Sequence, residues 1–495
     1  MKQRARFAVL LLLTLLFGAE RANAQGPGPG NTTTVTTTTA GHTFTALQVY
    51  GIGSFVCAVV SPMVGTVVLG REMTPNEVAH TTLGCVGGPI GWAIADHFFP
   101  LTAVSGTGGE RPANQRTRTA RGRNFNLPPA GEVRFVQNEV LTVSDPRTMA
   151  RIAQRLQLTL LETQNFALIG RSMQRWRIDS GRSVSDTIRA LGGYGAQPNY
   201  LYALTQMQAP VAPAGKDSGA PAQEPANMQY VIAKLHLREA HQITSGDEVA
   251  VAVIDSGVDA DHPELAGVVA ERFDALGGPM RPHSHGTGMA GAIAAHAKLV
   301  GVAPKVKLLA ARAFSGTDQA ADGTTFNIVK AFDWAAARNA RVINMSFAGP
   351  SDPIMRSMLD RGYARGIVMI AAVGNSGPNS PPLFPAADVH VIGVTATDAE
   401  DKLLSVANRG PHVAFATPGV QILVPSPGGS YQLTSGTSVA TAHASGVAAL
   451  LLARKALKPD QVRAVLSSTA LPIAGSRTDY GAGIIDAYKA LNSLK

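Results

Sequence analysis

From Met228 to the end of the chain, short apolar runs alternate with helical stretches. The runs are VAVAVID (Val249–Asp255), VKLLAARAF (Val306–Phe314), ARVINMSF (Ala340–Phe347), GIVMIAAVGN (Gly366–Asn375) and VHVIGVTAT (Val389–Thr397). Strands joined through helices must run parallel, so this rhythm predicts an α/β fold with helices on both faces of a parallel sheet. A different rhythm precedes it. GEVRFVQN alternates like a strand, and Asp145-Pro146 opens the amphipathic helix MARIAQRLQL. Asp145 suits the N-cap and Pro146 the first helical position. LTLLETQNFALIG and RSMQRWRID then read as strands, VSDTIRALGGY as a helix and AQPNYLYAL as a last strand. The order β-α-β-β-α-β is that of a small ferredoxin-like α+β module.

The pattern divides the 495 residues into six segments: 1–24, 25–104, 105–130, 131–205, 206–228 and 229–495. In the first, Lys2, Arg4 and Arg6 precede an apolar run from Phe7 to Phe17, and Ala22-Asn23-Ala24 offers small residues for cleavage. This is the form of a signal peptide, so the chain is expected to be exported, either secreted or periplasmic. Residues 25–46 are low-complexity Gly, Pro and Thr, too polar to build a core. Residues 105–130 and 206–228 read as a basic linker and a Pro/Ala-rich connector open to cutting.

Two readings stand for residues 49–99. Val49–Gly70 carries no charge, and Leu83–Phe99 carries only Asp96 and His97, so the pair could enter and leave a membrane as a helical hairpin. Alternatively, Cys57 and Cys85, the only cysteines, could close a small Gly-rich soluble domain. In the hairpin the two would lie roughly 12 Å and 20 Å below the surface. That offset exceeds the Cα separation of about 7 Å that a disulfide tolerates, so the readings exclude each other in this register.

The formal net charge of +9 raises nucleic acid as a partner. The basic excess, however, lies mostly upstream of residue 230, notably at Arg111, Arg116, Arg118, Arg121 and Arg123, and no nucleic-acid motif accompanies it. No nucleic-acid partner is expected. With no cysteine beyond residue 85, a cysteine nucleophile and a thiolate zinc site are excluded from the larger module.

Four glycine-pinned strings in that module hold the candidate chemistry. Asp255 ends a strand, where α/β folds place ligands, and could fix an imidazole's tautomer. His285 opens a helix of small residues and could serve as the base. Ser438, at the start of a long apolar helix, could be the nucleophile, with first-turn amides and the helix dipole favouring an oxyanion. Asn375, in a Gly-Asn-Ser-Gly turn, could donate to the same oxyanion. Each motif alone is ordinary turn or cap chemistry. Together they supply an acid, a base, a nucleophile and an oxyanion donor. His262, His283, His296, His390 and His443 are read as ordinary surface or core histidines.

The order Asp, His, Asn, Ser with these flanks resembles the subtilisin-like serine peptidases, the subtilases, over Met228–Lys495. The resemblance implies a subtilisin-like parallel sheet and an endopeptidase hydrolysing protein or peptide substrates through an acyl-enzyme. It also implies that residues 131–205 are an inhibitor-type propeptide, an internal partner removed by self-cleavage between roughly Ala203 and Asn227. Val342–Phe347 resembles the family's substrate-binding strand. Ser346, Phe347 and Ala348, opposite Ala372, Val373 and Gly374, are accordingly candidates for substrate binding. The chain departs from the pattern at Gly288, where a second histidine is usual, and at Ala442, where a proline is usual. The family's calcium loop within the histidine helix is missing and Glu264 would lack its fellow ligands, so no metal or other cofactor is expected. A competing function is a membrane-associated interaction protein that uses residues 40–104 and keeps the protease fold as scaffold.

Overall fold

The structure is a computed structural model that describes residues 32–39, 42–49, 133–204, 207–208, 229–317 and 320–494. The signal peptide, both cysteines, residues 50–99 of the membrane or disulfide segment, the basic linker and nearly all of the Pro/Ala-rich connector lie outside them. Among the described residues, no helix is long and apolar enough to cross a membrane.

In the Thr-rich segment, β1 (Thr32–Thr39) and β2 (His42–Val49) pair as an antiparallel hairpin. The low-complexity reading did not foresee strands here. Threonine is β-branched, a residue type that favours extended backbone.

The small module follows as β3 (Phe135–Val143), α1 (Pro146–Leu156), β4 (Leu158–Phe166), β5 (Arg171–Ile178), α2 (Val184–Leu191) and β6 (Gln197–Leu204). Its strands pair antiparallel in the order β6-β3-β5-β4, the ferredoxin-like arrangement. Asp145 caps α1 by accepting from the Arg147 amide, with Pro146 in the first turn. The expected first strand was placed too early: it begins at Phe135 and runs through Val140, Leu141 and Thr142, all wholly buried. Alternation fades where both strand faces are covered, so the period-2 signal survived only in the exposed half.

A two-residue strand, β7 (Met207–Gln208), follows, and in the large module two short helical turns over residues 231–241 precede β8 (Ala250–Asp255) and β9 (Val269–Asp274). The helix α3 (Ser284–Ala294) leads to β10 (Lys307–Arg312) and the short hairpin β11 (Phe314–Thr317) and β12 (Ala320–Thr324). After α4 (Thr325–Ala337) come β13 (Val342–Met345), β14 (Phe347–Ala348), α5 (Pro353–Ala364), β15 (Val368–Ala372), β16 (Val391–Thr397) and β17 (Val413–Pro418). A hairpin of β18 (Ile422–Ser426) and β19 (Ser430–Ser435) precedes the long helix α6 (Thr437–Arg454).

Seven strands form one parallel sheet in the order β17-β16-β15-β13-β8-β10-β9. Every residue of β13, β15 and β16 is buried, as a sheet covered on both faces requires. One face packs against α3 and α6, which are buried nearly all round. The other packs against α4 and α5 in a second core. That second core also takes in Leu141, Phe166, Met173, Tyr202 and Leu204 of the small module.

Candidate active site

Three neighbouring strands of the parallel sheet, β8, β13 and β15, deliver their carboxyl ends side by side. Asp255 is the last residue of β8, Ser346 follows β13 directly, and Asn375 lies three residues beyond β15. Neighbouring strands lie about 4.8 Å apart, so the lattice itself brings residues 255, 346 and 375 to one edge. The helices supply the rest.

His285 sits in the first turn of α3 and is buried. Its Nδ1 lies 2.7 Å from Asp255 Oδ1, with both side chains almost fully covered. The same Oδ1 accepts from the Ser256 amide at 2.7 Å and the Ser256 hydroxyl at 3.0 Å. A carboxylate held this way fixes the imidazole with its proton on Nδ1 and leaves Nε2 as the basic atom. Nε2 is buried and makes no hydrogen bond among the described residues, so it is not bonded to the Ser438 hydroxyl here. Such bonds often tighten only when substrate arrives.

Two glycines make the Asp–His contact sterically feasible. Gly257 has φ +117°, and a Cβ there would lie 2.2 Å from the Arg281 carbonyl oxygen. A Cβ on Gly286 would lie 2.3 Å from the Gly257 carbonyl oxygen. Only a bare backbone at both positions lets the start of α3 close on the turn after β8. His283, read from sequence as an ordinary surface or core residue, is the N-cap of α3, and its Nδ1 accepts from the His285 amide at 3.2 Å.

Ser438 is the second residue of α6, where first-turn amides have no intrahelical acceptor. A buried polar chain ties it to the sheet. Ser346 Oγ donates to the Ser438 carbonyl at 2.9 Å, Asn344 Nδ2 donates to Ser346 Oγ at 2.9 Å, and Ser445 Oγ donates to Asn344 Oδ1 at 3.0 Å. Ser438 is thus fixed at the end of β13, beside the β8 end that carries Asp255. Asn344 and Ser445 escaped sequence reading because each looks like an isolated polar residue in an apolar run. Asn375 is oriented by its own carbonyl oxygen, which accepts from the Thr437 amide at 3.2 Å and the Thr437 hydroxyl at 3.0 Å. That sets Nδ2 as the donor end.

The cleft beside these groups is filled by the chain's own β6. It lies antiparallel between β12 and β14, with Ala203 opposite Asp322 and Ala348, Leu204 opposite Phe347 and Tyr202 opposite Gly323. Of the sequence-predicted substrate residues, Phe347 and Ala348 pair with β6 directly, and Ser346 precedes them. Ala372, Val373 and Gly374 are buried at the end of β15, next to β14. β12 was missed: Ala-Ala-Asp-Gly-Thr reads as a turn, and only the strand beside it makes it extended. On the far side of residues 205 and 206, β7 pairs with β19, with Met207 opposite Ser435.

The small module grips α4 as well. Asp333 accepts from the Leu168 amide at 2.7 Å and the Ala167 amide at 3.2 Å, Lys330 pairs with Glu162 at 2.6 Å, and Phe166 meets Phe326 edge-on at 6.2 Å. Away from the site, Glu264 is fully buried, and its carboxylate accepts from the amides of Ala297, Lys298 and Leu299 and from the Tyr431 hydroxyl. Burial alone would raise this carboxyl, but the four donors together hold it below the usual carboxylate range. Its partners are therefore donors, not fellow metal ligands.

Comparison with known proteins agrees with this geometry. Residues 246–483 match the model of the subtilase family. The chain is 34% identical to thermitase of Thermoactinomyces vulgaris over 271 residues, 53% of this chain and 95% of thermitase. It is 35% identical to subtilisin of Bacillus pumilus over 277 residues, 53% of this chain and 98% of subtilisin. In fold it resembles fervidolysin of Fervidobacterium pennivorans, a keratinolytic enzyme related to subtilisin, with a TM-score of 0.62 and 24% identity over 74% of this chain and 63% of fervidolysin. The parallel sheet, the residues gathered at its carboxyl edge and these likenesses converge: the chain belongs to the subtilase family and is a serine endopeptidase.

Proposed function

We propose that the chain is an exported endopeptidase made as a precursor that processes itself, with Asp255, His285 and Ser438 as its triad and Asn375 as oxyanion donor. The observation that carries this reading is the buried Asp255–His285 pair beside a helix end bearing Ser438, in a cleft already holding a strand of the same chain. Ser438 gives its proton to His285 Nε2 while Oγ attacks the scissile carbonyl carbon. The electron pair displaced onto the carbonyl oxygen is held by Asn375 Nδ2 and the Ser438 amide. Collapse breaks the C–N bond, and His285 passes its proton to the leaving amine. Water, deprotonated by the same nitrogen, then releases the acyl group and restores Ser438.

Residues 131–205 act in this reading as an internal inhibitor, presenting β6 by strand addition as a substrate would lie. β6 ends at Leu204 and β7 begins at Met207, and both pair with strands leading to the reacting groups. The self-cut accordingly falls at one of the three bonds joining Leu204 to Met207, a narrower window than sequence allowed. Export rests on the N-terminal pattern of residues 1–24.

The test is the Ser438→Ala chain, purified whole. It should stay full-length while the wild-type chain is cut within the 204–207 window, as read by intact mass. The processed wild-type enzyme should be labelled at Ser438 by a fluorophosphonate. Normal processing of the Ser438→Ala chain would refute self-cleavage.

A further inference from the structure

Where β6 crosses the cleft, one side chain is swallowed whole. Tyr202 is fully buried, although it belongs to a strand laid in an open groove. Its ring stands edge-on to Phe347 at 5.9 Å and 84°. It also covers Gly349 so closely that a Cβ there would lie 2.5 Å from the ring, so the pocket exists only because residue 349 has no side chain. A purely apolar pocket would take phenylalanine as well as tyrosine. This one has a polar floor: Tyr202 Oη donates to the Pro350 carbonyl at 3.2 Å and reaches Asp352 Oδ2 at 3.5 Å.

Asp352 is itself fully buried. Its Oδ1 caps α5, accepting from the Ile354 amide at 2.8 Å and the Met355 amide at 3.1 Å, and also accepts from Gln197 Nε2 at 2.7 Å. Its Oδ2 accepts from the Thr325 hydroxyl and faces the phenol. The phenol carries one proton for these two acceptors, and a side chain with no hydroxyl would bring none to the pocket floor, where an unmet buried acceptor is costly.

We infer that Asp352 is a specificity-determining residue: together with the Pro350 carbonyl and the space left by Gly349, it selects peptide segments carrying tyrosine two residues before the position of Leu204. The inference rests on the reading above, that β6 lies in the cleft as a substrate does. It adds that the cleft reads a phenol hydroxyl and not merely an aromatic ring.

Two synthetic peptides spanning Asn199–Gln208 test it, one with the native tyrosine at position 202 and one with phenylalanine there. Each is offered to enzyme obtained by letting the full-length chain process itself. The tyrosine peptide is expected to be cleaved with about tenfold higher kcat/KM, the factor that one buried hydrogen bond supplies. In D352S a shorter side chain can still cap α5 but no longer reaches the phenol, so the ratio should fall markedly, with only the Pro350 carbonyl left to favour tyrosine. G349A, with a methyl where the ring lies, should slow both aromatic peptides relative to a third peptide with alanine at position 202. This variant keeps the inference testable should D352S fail to fold.

Equal cleavage of the tyrosine and phenylalanine peptides by the wild-type enzyme would overturn the inference and leave the peptidase reading intact. Cleavage of neither peptide by an enzyme that still takes the fluorophosphonate would show that β6 is not seated as a substrate, which also overturns it. Failure of both cleavage and labelling would instead bring down the peptidase reading on which it rests.

Discussion

The two modules solve the problem of burial differently. The large module encloses its parallel sheet between two helical layers of its own, and strands such as β13, β15 and β16 are covered along their whole length. The small module covers only one face of its antiparallel sheet. Its private core, built around Val140, Met149, Leu156, Trp176 and Leu191, is small, while Phe166, Met173, Tyr202 and Leu204 belong to a core shared with α4 and α5. A module of this size buries a smaller share of its surface than a large domain does and is marginal by itself. The contrast is between a body complete in itself and one completed by its neighbour. The second kind suits the role proposed above for the small module, an internal inhibitor that later leaves.

The largest expected effect probes that shared core. Phe166→Ala removes the ring that meets Phe326 and should weaken the small module's hold by about 3–5 kcal/mol. Measured by thermal unfolding, the uncut Ser438→Ala chain should lose stability with this change. The processed enzyme, free of residue 166, should melt as the wild type does. Equal loss in both would abolish the distinction between the modules.

A second effect, of about 3 kcal/mol, should appear in the large module alone. His443 in α6 is fully buried, and burial pushes its imidazole down from 6.5 to about 4, against the opposing bond to the Pro418 carbonyl. The unfolded chain therefore takes up this proton first as pH falls. The stability held by the neutral form is complete above about pH 6.5 and drains away between 6.5 and 4. Urea midpoints of the processed enzyme should fall through that window, and H443Q should flatten the slope.

The smallest effect returns to the small module. Ser183 caps α2 by accepting from the Asp186 amide at 3.0 Å. Ser183→Ala should cost about 1 kcal/mol in the uncut Ser438→Ala chain, with no change in the turnover of the processed enzyme. A change in turnover would mean that the small module does more than cover the cleft.

Much of this was legible in the chain, for identifiable reasons. Asp255, His285, Asn375 and Ser438 each sit in a local signature, a strand end or helix start marked by glycines, and local signals survive in a linear string. The parallel strands were legible because both of their faces are apolar. What escaped notice is held by partners distant in sequence. β12 is extended because β6 lies beside it. Asp352 looks like any N-cap aspartate, and nothing near it announces that Gln197 and Tyr202, some 150 positions earlier, bond to it. Asn344, Ser346 and Ser445 form one chain only after β13 and α6 are packed.

The gathering of Asp255, Ser346 and Asn375 at three neighbouring strand ends has one more consequence. The spacing of these three residues comes from the pitch of a hydrogen-bonded lattice, which no side chain sets. Mutation can therefore exchange most of the filling between the layers without stretching or tilting the machinery, provided the strands keep their register. With thermitase, about two aligned positions in three have drifted apart. A frame whose measurements are written in the main chain can tolerate that turnover.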